Sequence, residues 1–134
     1  MESITKLFSG LLVMFSVFYF SQQKSNLLTN TEWKGTANIP VAVEVNFKFG
    51  TDSVDLVYQG NVVEKMKFGF TNLGELTLLK LEGNSPCNSQ DVGIYKYKID
   101  KDVLTLTSVN DKCEDRKTAF DGNNYGKVLS TTLQ

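Results

Sequence analysis

From residue 42 onward, apolar and polar side chains alternate with a period of two. Val43, Val45, Phe47 and Phe49 alternate with Ala42, Glu44, Asn46 and Lys48. That is the pattern of a strand with one face in a core and the other in solvent. After the turn residues Gly50-Thr51-Asp52-Ser53, Val54, Leu56 and Tyr58 alternate with Asp55, Val57 and Gln59. Beyond Gly60-Asn61, Met66, Phe68 and Phe70 alternate with Lys65, Lys67 and Gly69, up to a turn at Asn72-Leu73-Gly74. The next segment carries Leu76 and Leu78 on one side and Leu79 and Leu81 on the other. Gly93, Tyr95, Tyr97 and Ile99 then oppose Ile94, Lys96 and Lys98. Past Asp100-Lys101-Asp102, Leu104 and Leu106 oppose Thr105 and Thr107. A first segment around Trp33-Lys34-Gly35-Thr36 and a last one bent at Asp121-Gly122-Asn123-Asn124 complete the set. The pattern predicts eight strands, at 32–39, 42–49, 53–59, 62–71, 75–82, 92–100, 103–110 and 117–130, and no helix among them.

Most of the intervening turns are short enough for hairpins, so the simplest arrangement is antiparallel and up-and-down. The fold class expected is all-β: a single barrel of about eight strands, closed so that no strand edge is left exposed. An open sandwich of two four-stranded sheets is the alternative. In an up-and-down chain every second connection lies at the same end. The loops after strands five and seven therefore share an end, and they carry the only two cysteines, Cys87 and Cys113.

The segment before the barrel changes the picture of where the protein works. Residues 1–21 have Lys6 near the start and an almost wholly apolar run from Leu7 to Phe20. Such a run is short for a membrane span of about 20 residues and suits the core of a secretory signal peptide. Ser21 supplies a small residue before a cut ahead of Gln22. The expected organisation is a signal peptide at 1–21 and one β-barrel domain at 22–134, exported to a periplasmic or extracellular space, with no stable membrane anchor in the mature form. Two cysteines in polar loops of an exported chain read as a Cys87–Cys113 disulfide. Closing that loop contributes on the order of 3 kcal/mol of loop-closure entropy.

Charge and composition chiefly exclude. The chain has 14 Lys+Arg against 15 Asp+Glu and no histidine. No basic excess points to nucleic acid. Without histidine there is no Ser-His-Asp or Cys-His nucleophile and no imidazole metal site or pH switch. No Walker loop or dinucleotide glycine fingerprint occurs, and no cofactor or metal is expected. The cluster Asp111, Glu114, Asp115 lacks the spacing of a calcium loop and reads as solvated.

Several blocks resemble the small bacterial lipocalin-like domains of the calycin group. They are Thr31-Glu32-Trp33-Lys34-Gly35 on the first strand, Gly93-Ile94-Tyr95-Lys96-Tyr97, Leu104-Thr105-Leu106, and Asp111-Lys112-Cys113-Glu114-Asp115-Arg116. The last three look like the closing hairpin of that group. The chain differs in having Thr31 where the family usually has glycine, and in showing no helix after the barrel. The resemblance implies an eight-stranded barrel that often holds a small apolar molecule.

On that reading the ligand-binding candidates are Phe47, Phe49, Tyr58, Phe68, Tyr95 and Tyr97, all on inward faces. They combine apolar bulk with a few hydroxyls, suiting a ligand with a greasy body and one polar end. The polar cysteine-bearing loops are the expected mouth. Arg116, the sole arginine, is expected to pair with Asp111, Glu114 or Asp115. The partner expected is a small hydrophobic molecule, and the protein is expected to be a monomer. Two other readings stand beside this one. One is a secreted interaction or inhibitor module with a filled barrel. The other is a calycin-type cyclase or isomerase using a tyrosine acid.

Overall fold

The structure, a computed structural model, describes residues 27–129. The expected signal at 1–21 lies outside the described residues. Eight strands form one closed barrel in which each pairs antiparallel with its sequence neighbours: β1 (Glu32–Asn38), β2 (Ala42–Phe49), β3 (Ser53–Tyr58), β4 (Asn61–Phe70), β5 (Leu76–Gly83), β6 (Gly93–Asp100), β7 (Val103–Asp111) and β8 (Asn124–Lys127). β8 pairs with both β7 and β1 and closes the ring. The all-β, up-and-down barrel is thus observed, and its shape is compatible with a lipocalin-like fold.

The first seven strands lie within a residue or so of the alternation pattern, because each buries one face. Val45, Phe47 and Phe49 of β2, Val54 and Leu56 of β3, and Met66 and Phe68 of β4 are all buried. Two-residue hairpins join β3 to β4 and β6 to β7. Their central residues, Gln59-Gly60 and Lys101-Asp102, have positive φ, as the twist of paired strands favours.

The expectation of one long last strand at 117–130 is corrected. A helix, α1 (Glu114–Phe120), follows β7, and only four residues remain for β8. Glu114 and Asp115 sit in its first turn, where acidic groups suit the helix dipole. Arg116, Ala119 and Phe120 are buried, which is the i, i+3, i+4 stripe of a helix. One such stripe in seven residues is too short to stand out as periodicity.

This helix completes the wall. β8 reaches only Trp33–Gly35 of β1 and Val103–Thr105 of β7. Beyond that the gap between β7 and β1 is covered by α1, tied to β1 by Asn38 Nδ2 donating to the Thr118 carbonyl at 3.3 Å. Asn123 Nδ2 likewise donates to the Thr36 carbonyl at 3.0 Å. At the β8 seam the strands meet over Gly35. A Cβ there would lie 2.3 Å from the Asn124 carbonyl oxygen and 2.6 Å from the Tyr125 ring.

The two barrel ends differ. The end where β1 begins is stoppered by fully buried Leu28 and Trp33, whose Nε1 donates to Thr31 Oγ1 at 2.8 Å. Rings then run along the inside as neighbours: Phe47 to Phe49 at 6.0 Å, Phe49 to Phe68 at 5.1 Å, Phe68 to Phe70 at 6.1 Å, and Phe70 to Tyr97 at 5.8 Å. The opposite end carries the β1–β2, β3–β4 and β5–β6 connections together with α1.

Candidate functional site

At this second end lies a cavity of about 560 Å³. Its apolar wall comes from β2, β3 and β4 (Val43, Leu56, Met66), from the β1–β2 loop (Ile39, Val41) and from α1 (Phe120). Tyr58 adds a half-buried phenol. Cys87 and its neighbours Asn84, Ser85 and Pro86 form another side. The two cysteine loops lie at this end of the barrel, and Cys87 and Cys113 are disulfide-bonded, their Cα atoms 5.3 Å apart across a sequence separation of 26. A disulfide suits a non-reducing environment.

Two ionisable side chains in the cavity wall are almost wholly buried: Glu64, 6% exposed, and Arg116, 4%. Glu64 sits on the inward face of β4 in step with Met66 and Phe68. Its Oε1 accepts from the Ser85 backbone N–H at 3.2 Å, and its Oε2 accepts from the Ser85 hydroxyl. Space for the carboxylate depends on Gly83, whose φ is +141°. A Cβ on Gly83 would lie 2.2 Å from Oε1. The β4–β5 register shifts just here, between Lys65 and Met66.

Arg116 is anchored from behind the cavity. Its Nε donates to Asp111 Oδ2 at 2.7 Å, and its Nη2 donates to Asp111 Oδ1 at 2.8 Å and to the Asp91 carbonyl at 2.7 Å. The fork-on-fork geometry is the strongest form of such a pair. Tyr95 Oη also donates to Asp111, and the Cys113 N–H does so at 2.9 Å. Burial pushes the Asp111 carboxyl up, but the bonds from Arg116, Tyr95 and Cys113 outweigh it and hold it below the usual carboxylate range. Burial works against the Arg116 charge, and Asp111 more than restores it. The Tyr95 phenol is pushed up, first by burial and then by donating to a carboxylate. Arg116 Nη1 is buried and has no hydrogen-bond partner among the described residues.

Gly93 makes this network possible. It pairs with Asp111, and a Cβ on it would lie 2.5 Å from Asp111 Oδ2 and 2.9 Å from Arg116 Nε. Asp111 faces inward because the β6–β7 register shifts between Ile94 and Tyr95, leaving Val109 as an extra residue on β7.

The expected ligand residues are distributed unevenly around this cavity. Tyr58 is in its wall. Phe47, Phe49 and Phe68 are buried in the continuous core, and Phe47 packs on Phe120 at 4.9 Å and on Tyr125 at 5.0 Å. Tyr95 is fully buried with its hydroxyl on Asp111. Tyr97 is half-buried, lies against Phe70, and has its phenol pushed up by burial. Arg116 pairs with Asp111, one of the three partners expected. Glu64 is not among the residues the alternation pattern singled out. Its signal is its parity: it continues the inward series Phe70, Phe68, Met66.

No protein-family model, curated protein or solved structure matches this chain.

Proposed function

We propose that this chain is an exported, lipocalin-like carrier that holds one small, largely apolar molecule in the cavity at the barrel mouth. The observation that carries this reading is the cavity itself: about 560 Å³, mostly apolar in its wall, with two buried ionisable side chains within it. That volume falls in the range of roughly 300–1,000 Å³ common for small-molecule sites, and a few fixed polar groups in an apolar wall are their usual composition. Entry is at the mouth, since the side wall is a hydrogen-bonded sheet sealed by α1. Export accords with the apolar run before the barrel and with the disulfide.

The test combines native mass spectrometry of protein purified from its own source with binding of an uncharged environment-sensitive dye, N-phenylnaphthylamine. A co-purifying small molecule or saturable dye fluorescence is expected. Val43→Trp, which places an indole at a half-buried position of the cavity wall, should abolish it. A bare protein that binds neither the dye nor any member of a hydrophobic ligand panel overturns the proposal. The interaction-module reading would then take its place, drawing on Ile39 and Val41, which stand exposed on the rim.

A further inference from the structure

We infer that the cavity selects for charge: its preferred ligand is a small apolar amine whose ammonium group meets Glu64. This rests on the binding reading above and adds the chemical class. Glu64 is more than nine-tenths buried in the cavity wall. Its two hydrogen-bond donors, the Ser85 N–H and hydroxyl, are both neutral. No Lys or Arg nitrogen lies within 4.0 Å of it among the described residues, where the ion pairs are Lys34–Glu44, Lys65–Asp55 and Arg116–Asp111. Lys80, the cation of the adjacent strand, donates its ammonium to the Ser85 carbonyl instead. A carboxylate offers about four acceptor positions, so Glu64 can take a further donor. Buried charges in proteins are ordinarily paired, and here the pairing group would come with the ligand.

The surrounding charges point the same way. Glu64 and Asp115 line the cavity, and Asp111 stands behind Arg116, against the two cations Arg116 and Lys80. A carboxylate ligand would add to that excess of negative charge. Arg116 cannot serve it as a forked anchor, because its Nε and Nη2 are both spent on Asp111. Tyr58 and Phe120 make part of the cavity wall aromatic, a composition that tolerates cations.

The test is displacement of N-phenylnaphthylamine at neutral pH, on disulfide-intact protein, by three probes of one length: decylamine, decanol and decanoate. Decylamine is expected to compete about tenfold better than decanol, the difference between a charge-assisted and a neutral hydrogen bond, with decanoate weakest. Glu64→Gln keeps an acceptor for the Ser85 N–H and an amide for its hydroxyl. It should bring decylamine down to the level of decanol, a ratio read between two probes on the same variant. Decanoate competing as well as decylamine, or an unchanged amine-to-alcohol ratio in Glu64→Gln, overturns the inference and leaves the carrier reading standing. Should that variant not fold, the order of the three probes on the unaltered protein decides by itself. Absence of dye binding together with calorimetric silence for all three probes overturns both.

Discussion

Replacing Asp111 with asparagine keeps its size and removes its charge, leaving the Arg116 guanidinium buried without a counter-ion. Asp111 is 7% exposed and Arg116 4%, and two direct bonds of 2.7 and 2.8 Å join them, so water can compensate little. Breaking a buried pair in this way costs about 3–5 kcal/mol. Against a total stability of roughly 5–15 kcal/mol for a domain, that is a large share. At ~4–5 °C per kcal/mol for a domain of just over 100 residues, the melting temperature should fall by about 12–25 °C. Urea unfolding followed by the fluorescence of Trp33, the only tryptophan and fully buried, measures the loss, with the disulfide kept intact in every variant. Arg116→Met and the double variant complete a cycle. The double variant should be milder than the sum of the singles by more than about 2 kcal/mol, because it leaves no buried charge facing a missing partner. The acid limb gives a second reading. The Asp111 carboxyl is held below its unfolded value, so its contribution is fully present above the unfolded value of about 4 and is lost as pH falls through the lower folded one. Asp111→Asn should lack that part of the acid dependence. Singles that add within about 0.5 kcal/mol, or an Asp111→Asn variant as stable as the parent, would refute the reading of Asp111 and Arg116 as a coupled buried ion pair.

Tyr125 tests the opposite case. Its phenol is pushed up to about 12, by burial against a smaller lowering from the nearby Asn123 amide; that amide donates to the Thr36 and Ala119 carbonyls, and the buried Tyr125 hydroxyl makes no hydrogen bond of its own among the described residues. Tyr125→Phe should therefore leave stability unchanged or raise it by up to about 1 kcal/mol, and a loss beyond 1 kcal/mol in urea unfolding would mean the hydroxyl is engaged. Reduction of Cys87–Cys113, or the double alanine variant, should cost on the order of 3 kcal/mol for the loop of 26 residues it closes. It should also weaken dye binding, since Cys87 lines the cavity; unaltered dye affinity in the reduced protein would show that the wall holds without it.

The pattern of side chains along the chain was enough to place seven strands and their antiparallel order, and alternation marked the inward face of β2, β3, β4, β6 and β7, where a period of two survives; β5 has leucines on both sides and β1 was placed without a face. The shared end of the two cysteine loops followed from counting strands. Glu64 was passed over although its signal is there: it holds the inward parity of Met66 and Phe68, and a polar residue in that series is a signal in itself. Asp111 was not legible in the same way. The even positions Leu104 and Leu106 face inward on β7, and Asp111 is odd; only the extra residue at Val109 turns it into the barrel, beside a glycine that leaves it room. Nor was α1, whose seven residues are too few to hold a helix by propensity and are kept helical by burying Arg116, Ala119 and Phe120. Local pattern determines what a strand-long stretch can repeat. A one-residue bulge, a short helix closing a gap between strands, and a cavity framed by connections far apart in the chain depend on contacts that no local window contains, and those were settled only when the barrel closed.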